Sequence, residues 1–222
     1  MDPEYNALGL KDIKLFATRI MLTETTEEAL VAMENDLGYA ARLIGSVFPD
    51  VVAYACTSGS FIKGPEWDKK IMDTITEKAH CPACTTSFSV LEALKEMKIT
   101  KLTMLTPYTD YINTKEAAYI ERQGIKVVAE RGLQIIDSEV LHSQTAESIK
   151  KHIREIDVPE SDGVFISCTD YKGMAVAEEL EQELGKPVLA SNTTTLWWIL
   201  RQLKYPENIK GYGKLLSEHV VK

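Results

Sequence analysis

Two widely separated segments of this chain share one design: Asp50-Val-Val-Ala-Tyr-Ala-Cys56-Thr57 and Asp162-Gly-Val-Phe-Ile-Ser-Cys168-Thr169. Each opens on an acid, runs through apolar β-branched or aromatic residues, and closes on Cys-Thr. A helical pattern follows both, and each then leads to a second short strand opened by a proline, Pro82 or Pro187. A repeat on this scale predicts two related halves, each with a thiol at the C-terminal end of a corresponding strand. Two thiols facing one cleft from opposite lobes can act as acid and base without a cofactor.

The rest of the chain carries the same alternation. Residues 13–20 read as a strand, and Thr25 with Glu28 makes a capping box for the next helix. Leu30, Met33, Leu37, Ala41, Ile44 and Phe48 recur at helical spacing up to Pro49. Residues 51–56 form a near-continuous apolar strand, as expected where helices cover both faces of a parallel sheet. Trp67, Ile71, Ile75 and Ala79 mark a helix that begins near Pro65. In the second half, Val90, Leu91, Leu94 and Met97 mark a helix that leads to a strand over 101–106. A further helix ends at Gly124, before a strand over 125–129. Ile149, Ile153 and Ile156 line a helix ahead of the strand over 163–168. Met174, Ala177, Leu180 and Leu184 line another, which Gly185 stops. Such alternation predicts an α/β fold with parallel sheets flanked by helices. The first lobe is expected over 1–86 plus 187–222, carrying Cys56, and the second over 87–186, carrying Cys168.

Composition narrows the partners. The 222 residues are enough for one large or two small α/β domains. A net charge of −8 argues against nucleic acid or an anionic membrane, whose footprints are basic. No window approaches the roughly 18 apolar residues of a membrane span, and Met1-Asp2-Pro3-Glu4 is no signal peptide. A cytoplasmic location with four reduced cysteines is therefore expected. No G-x-G-x-x-G, P-loop or H-E-x-x-H occurs, and His80, His142, His152 and His219 are scattered, so no cofactor and no metal are expected. A homo-oligomer stays open.

The run Cys56-Thr57-Ser58-Gly59-Ser60 lies where a strand passes into a loop and then a helix. Ligands bind at such strand ends in parallel sheets, and backbone donors entering a helix favour anions. That setting is expected to lower a thiol pKa, with the Thr57 and Ser58 hydroxyls joining backbone donors around a carboxylate. Cys168-Thr169-Asp170-Tyr171-Lys172 is the partner run, in which Lys172 would favour a thiolate. Tyr108, directly after the 101–106 strand, would aim its phenol at the same cleft. A lone strand-end cysteine is commonly a buried structural thiol, and a loop tyrosine is commonly packing. Cys81-Pro82-Ala83-Cys84 offers a rival reading as a dithiol redox centre.

These residues resemble the aspartate/glutamate racemase superfamily, in its branch of maleate cis-trans isomerases and arylmalonate decarboxylases. The resemblance covers Asp50 to Phe61, Cys84-Thr85-Thr86, Thr106-Pro107-Tyr108, Ser167-Cys168-Thr169, Ser191-Asn192 and Gly213-Lys214-Leu215-Leu216. It implies two similar lobes related by a pseudo-twofold, with the active site in the cleft between them. It also implies Cys56 and Cys168 as the catalytic pair, with Thr57, Ser58, Tyr108 and Thr169 holding a small carboxylate substrate. Arylmalonate decarboxylases resemble this chain but carry glycine where Cys56 stands, so the retained pair implies isomerase or racemase chemistry. The Cys-Thr-Ser-Gly-Ser-Phe run and Ser191-Asn192 look most like maleate isomerase. Carbon-acid proton transfer, as in a racemase or decarboxylase, is the alternative. The family's usual opening strand and Pro-Ser-Ser-Asn-Thr-Thr-like loop have no counterpart ahead of Met1-Asp2-Pro3-Glu4, and the expectation is a native start upstream of Met1.

Overall fold

In a computed structural model, which describes residues 1–221, the strands fall into two parallel sheets. The first pairs β1 (Val52–Tyr54) with β2 (Ala83–Thr85), in the register Val52↔Ala83 to Tyr54↔Thr85. The second comprises β3 (Lys101–Thr106), β4 (Lys126–Gly132), β5 (Gly163–Ile166) and β6 (Val188–Ala190), in the order β4-β3-β5-β6. The expected α/β architecture is present.

Period-two alternation divides the second sheet between two cores. Leu102, Met104, Phe165 and Leu189 face a large core shared with the first lobe. Leu105, Val164, Ile166 and Val188 face the other way, against Ile149, Ile153 and Leu180. Those three residues come from the helices Ala146–Ile156 and Ala177–Leu184. The apolar spacing that predicted both helices is therefore their buried face. Gly185 closes the second helix at φ +68°, a left-handed conformation that glycine adopts without steric cost. In the first lobe the helix Pro65–Ala79 starts on a proline and packs on the helix Glu34–Gly45. Contact there is close enough that a Cβ on Gly45 would lie 2.9 Å from the Ala79 Cα.

Four expectations are corrected. Among the described residues none of 13–20 belongs to a strand. That segment runs along the edge of a cavity with Leu15 and Phe16 exposed, and β-propensity without packing or a ladder partner forms no strand. The cap of the next helix is Thr26, whose hydroxyl accepts from the Ala29 N–H at 3.3 Å, rather than Thr25. The helix is also broken in two, Glu27–Ala32 and Glu34–Gly45, and leaves Phe48 beyond its end, 90% exposed. Finally, the strand after Pro187 pairs with β5, through Val164↔Val188 to Ile166↔Ala190. The segment from Pro187 thus stays with the second sheet, and the chain returns towards the first lobe with the helix Ser191–Gln202, which packs on the helix Thr86–Glu96.

Candidate active site

The thiols sit where the repeat predicted, one just past β1 and one just past β5. Cys56 caps the short helix Thr57–Phe61, and its sulfur accepts the Gly59 N–H at 3.3 Å. A Cβ on Gly59 would lie 3.0 Å from that sulfur and 2.8 Å from the Tyr54 hydroxyl. Glycine is thus what lets the amide approach. Cys168 lies on a sharper bend, with φ at +86°. A non-glycine residue there costs on the order of 1–3 kcal/mol, strain that tends to collect at functional sites.

A cavity of about 1440 Å³ opens between the lobes, and Cys56, Thr57, Ser58, Tyr108, Cys168 and Thr169 all line it. Every candidate side chain is thereby brought to one space. The two halves are tied at this point, where Thr169 donates its hydroxyl to the Ala55 carbonyl at 3.1 Å; Thr57 Oγ1 lies 2.9 Å from Ser191 Oγ, on the helix that returns towards the first lobe. Beneath them the Ser60 hydroxyl lies 2.7 Å from that of Ser87, and Thr195 donates to Thr86 at 3.3 Å. This layer of small hydroxyls satisfies the polar groups where three helices begin, and so holds the Cys56 turn in place.

The electrostatics differ from the expectation of lowered thiol pKa values. Burial pushes the Cys56 thiol up, opposed by the bonds from Gly59 and Ser58 and reinforced by the charge of Asp170. Burial raises Cys168 to about 12, with the Asp170 amide and the Tyr108 hydroxyl favouring its thiolate and the Asp170 charge opposing it. Lys172 is not among the groups that act on either thiol, and its ammonium donates to the His142 carbonyl at 3.3 Å. Each sulfur therefore has two groups that favour its thiolate, and burial outweighs them at both.

The rival dithiol is poorly placed for exchange. Cys84 lies within β2, fully buried, and its thiol is raised to about 12 by burial. Among the described residues no cluster of three or more His, Cys, Asp or Glu could hold a metal, and no helix is long and apolar enough to cross a membrane.

Two sets of residues at the site escape a reading of the sequence. The N-terminal helix Asp2–Ala7 seats Met1, Pro3 and Tyr5 on the cavity wall. Its Tyr5 hydroxyl donates to the Asn192 carbonyl at 2.7 Å, and the Asn192 amide donates to Glu4 and, at 2.9 Å, to the Thr169 carbonyl. Glu116 lies behind the site, where its Oε1 is 2.7 Å from Ser167 Oγ. A glutamate in the middle of an ordinary helical pattern carries no sequence signal that it is buried.

The family model described as arylmalonate decarboxylase matches residues 2–216. The maleate isomerase of Nocardia farcinica is 25% identical over 213 residues, 93% of this chain and 85% of that protein. Two solved structures share the fold. A maleate isomerase variant from Pseudomonas putida S16, solved with maleate, superposes with a TM-score of 0.92 at 21% identity, over 98% of this chain and 92% of that one. A cysteine-to-serine variant of the Nocardia farcinica maleate cis-trans isomerase, solved with a covalently bound succinylcysteine intermediate, gives 0.88 at 24% identity, over 91% and 85%.

Proposed function

The chain belongs to the arylmalonate decarboxylase family, and within it we propose a cofactor-independent cis-trans isomerase of a small unsaturated dicarboxylate, of the maleate-to-fumarate type. The observation that carries this reading is the pair of thiols on one cavity, Cys56 at the start of a short helix with the Gly59 N–H on its sulfur and Cys168 raised to about 12 by burial.

The steps assign the nucleophile to Cys56, whose sulfur accepts the Gly59 N–H at 3.3 Å, and the proton donor to Cys168. The thiolate form of Cys56 adds to one alkene carbon and forms a C–S bond, while the π electrons move to the neighbouring carbon. Cys168 gives its thiol proton to that carbon and becomes the thiolate. The central bond is now single and rotates. Cys168 then takes the proton back, the C–S bond breaks with its electron pair returning to Cys56, and the trans alkene leaves with the Cys56 thiolate and the Cys168 thiol restored. The hydroxyls of Thr57 and Ser58 hold the carboxylates, with Tyr108 and Thr169 lining the same cavity, so that rotation occurs about the reacting bond rather than by tumbling of the whole molecule. The succinylcysteine adduct described for the Nocardia farcinica enzyme is the kind of intermediate this sequence of steps requires. Reduced thiols suit a cytoplasmic setting.

Proton NMR of maleate incubated with the protein tests the reading, which expects fumarate to accumulate. A second reading, carbon-acid proton transfer, is favoured by the name of the matching family. Deuterium entering an α-substituted acid, with no alkene isomerised, would select it.

A further inference from the structure

Among the described residues, Glu116 is a buried acid whose contacts run through Ser167 to Tyr108, on the cavity that Cys168 also lines. We infer that Glu116 is a positioning residue that sets, through Ser167, the direction in which Tyr108 donates its phenol proton beside Cys168. The inference rests on the thiol chemistry proposed above and adds a residue to which that chemistry gave no part.

The geometry is a row of single-proton groups. Glu116, on the inner face of the helix Asp110–Glu121, is 2% exposed, and its Oε2 is buried with no hydrogen-bond partner. Its Oε1 lies 2.7 Å from Ser167 Oγ, which in turn lies 3.5 Å from the Tyr108 hydroxyl. Tyr108, 1% exposed, lines the same cavity as Cys168, and its hydroxyl favours the Cys168 thiolate. Ser167 has one proton and cannot donate to Glu116 and to Tyr108 at once. If Glu116 is a neutral acid it can donate to Ser167, which then donates to Tyr108, which then donates to Cys168. If Glu116 is ionised, the shorter contact draws the Ser167 proton back to the carboxylate. Tyr108 then loses its incoming bond and can turn its own proton towards Ser167. The charge of one buried acid therefore reverses the whole row.

The surroundings decide which direction holds. The charged group facing Glu116 from β4 is Glu130, which is itself pushed up by burial and by Glu121 and Asp110. From its own helix, Asn113 is occupied by the Thr106 hydroxyl, which donates to it at 2.8 Å, and by Glu130. From the ends of β3 and β5 come Tyr108 and Cys168, whose hydroxyl and thiol are both raised by burial. With no cation among these neighbours, burial first and then the Glu130 charge raise Glu116 to about 8, against the single lowering bond from Ser167. At neutral pH the row points at Cys168.

The test compares wild type, Glu116→Gln and Glu130→Gln in two measurements. The first is the pH profile of maleate turnover. In wild type the rise with pH, driven by thiol ionisation, stops near pH 8; in Glu116→Gln, whose amide donates to Ser167 at every pH, the rise continues. Glu130→Gln removes the neighbouring charge and moves the break to lower pH without erasing it. The second is the ultraviolet titration of the Cys168 thiolate, taken as the difference between each protein and its Cys168→Ser form. Its midpoint falls by about one pH unit in Glu116→Gln, as expected for a restored bond to a charged sulfur. An unchanged break together with an unchanged Cys168 midpoint overturns the inference. A wild-type protein that turns over no maleate counts against the isomerase reading alone, and the thiolate titration then decides the role of Glu116 by itself.

Discussion

The backbone N–H of Gly59 donates to the sulfur of Cys56 at 3.3 Å. It is one of two bonds that oppose the effect of burial on that thiol, which stands at the start of the helix Thr57–Phe61 and to which we assign the nucleophile's role. Limited iodoacetamide treatment, followed by peptide mass spectrometry, should therefore label Cys56 before Cys168, with the buried Cys81 and Cys84 slower still. Faster labelling of Cys168 would reverse the proposed roles.

Gly132, at the end of β4, fixes the loop that carries Tyr108. A Cβ at this position would lie 2.6 Å from the Tyr108 carbonyl oxygen, so Gly132→Ala has to move the loop or the strand. We predict a fall in kcat on the order of 10²-fold, with a stability loss of about 1–3 kcal/mol. Wild-type kcat in a folded variant would show that the position of Tyr108 does not matter.

Asp68 gives stability a pH dependence that is independent of the thiols. It is buried and accepts bonds from the Thr85 and Tyr119 hydroxyls. Burial outweighs those bonds and raises it from 3.8 to about 6. The folded protein thus holds this proton more tightly than the unfolded chain does. The associated stability is fully present below pH 3.8 and is lost as pH rises through about 6. Asp68→Asn should flatten the urea midpoint over that interval, leaving the part due to Glu116, which continues to about 8. An unchanged slope in Asp68→Asn would mean that Asp68 is ionised in the fold.

The parts of this molecule that local pattern dictates were legible in the sequence. The helices over Ile149 to Ile156 and Trp67 to Ala79 announced their buried faces by spacing, and the two Cys-Thr runs announced the strand ends that meet at the cavity. What depends on a partner distant in sequence was not. Residues 13–20 have strand-like composition but no ladder, and Val188–Ala190 could be assigned to a sheet only by its pairing with β5. Asp68 and Glu116 read as ordinary helix charges, because burial of a carboxylate is decided by the face that the tertiary fold turns inward. The thiol pKa values differ from expectation for a related reason: a strand-end setting suggests donors, whereas the extent of desolvation is set only by the packing of the folded chain.

The most direct test of the two-thiol account is fumarate formation from maleate, followed by proton NMR, in wild type, Cys56→Ala, Cys168→Ala and the double variant. The account predicts conversion by wild type and a loss of roughly 10³-fold or more in each single variant. It also predicts that the double variant is no worse than either single one, because groups acting as a unit are non-additive. Substantial fumarate formation by either single variant, with its fold intact, would contradict it.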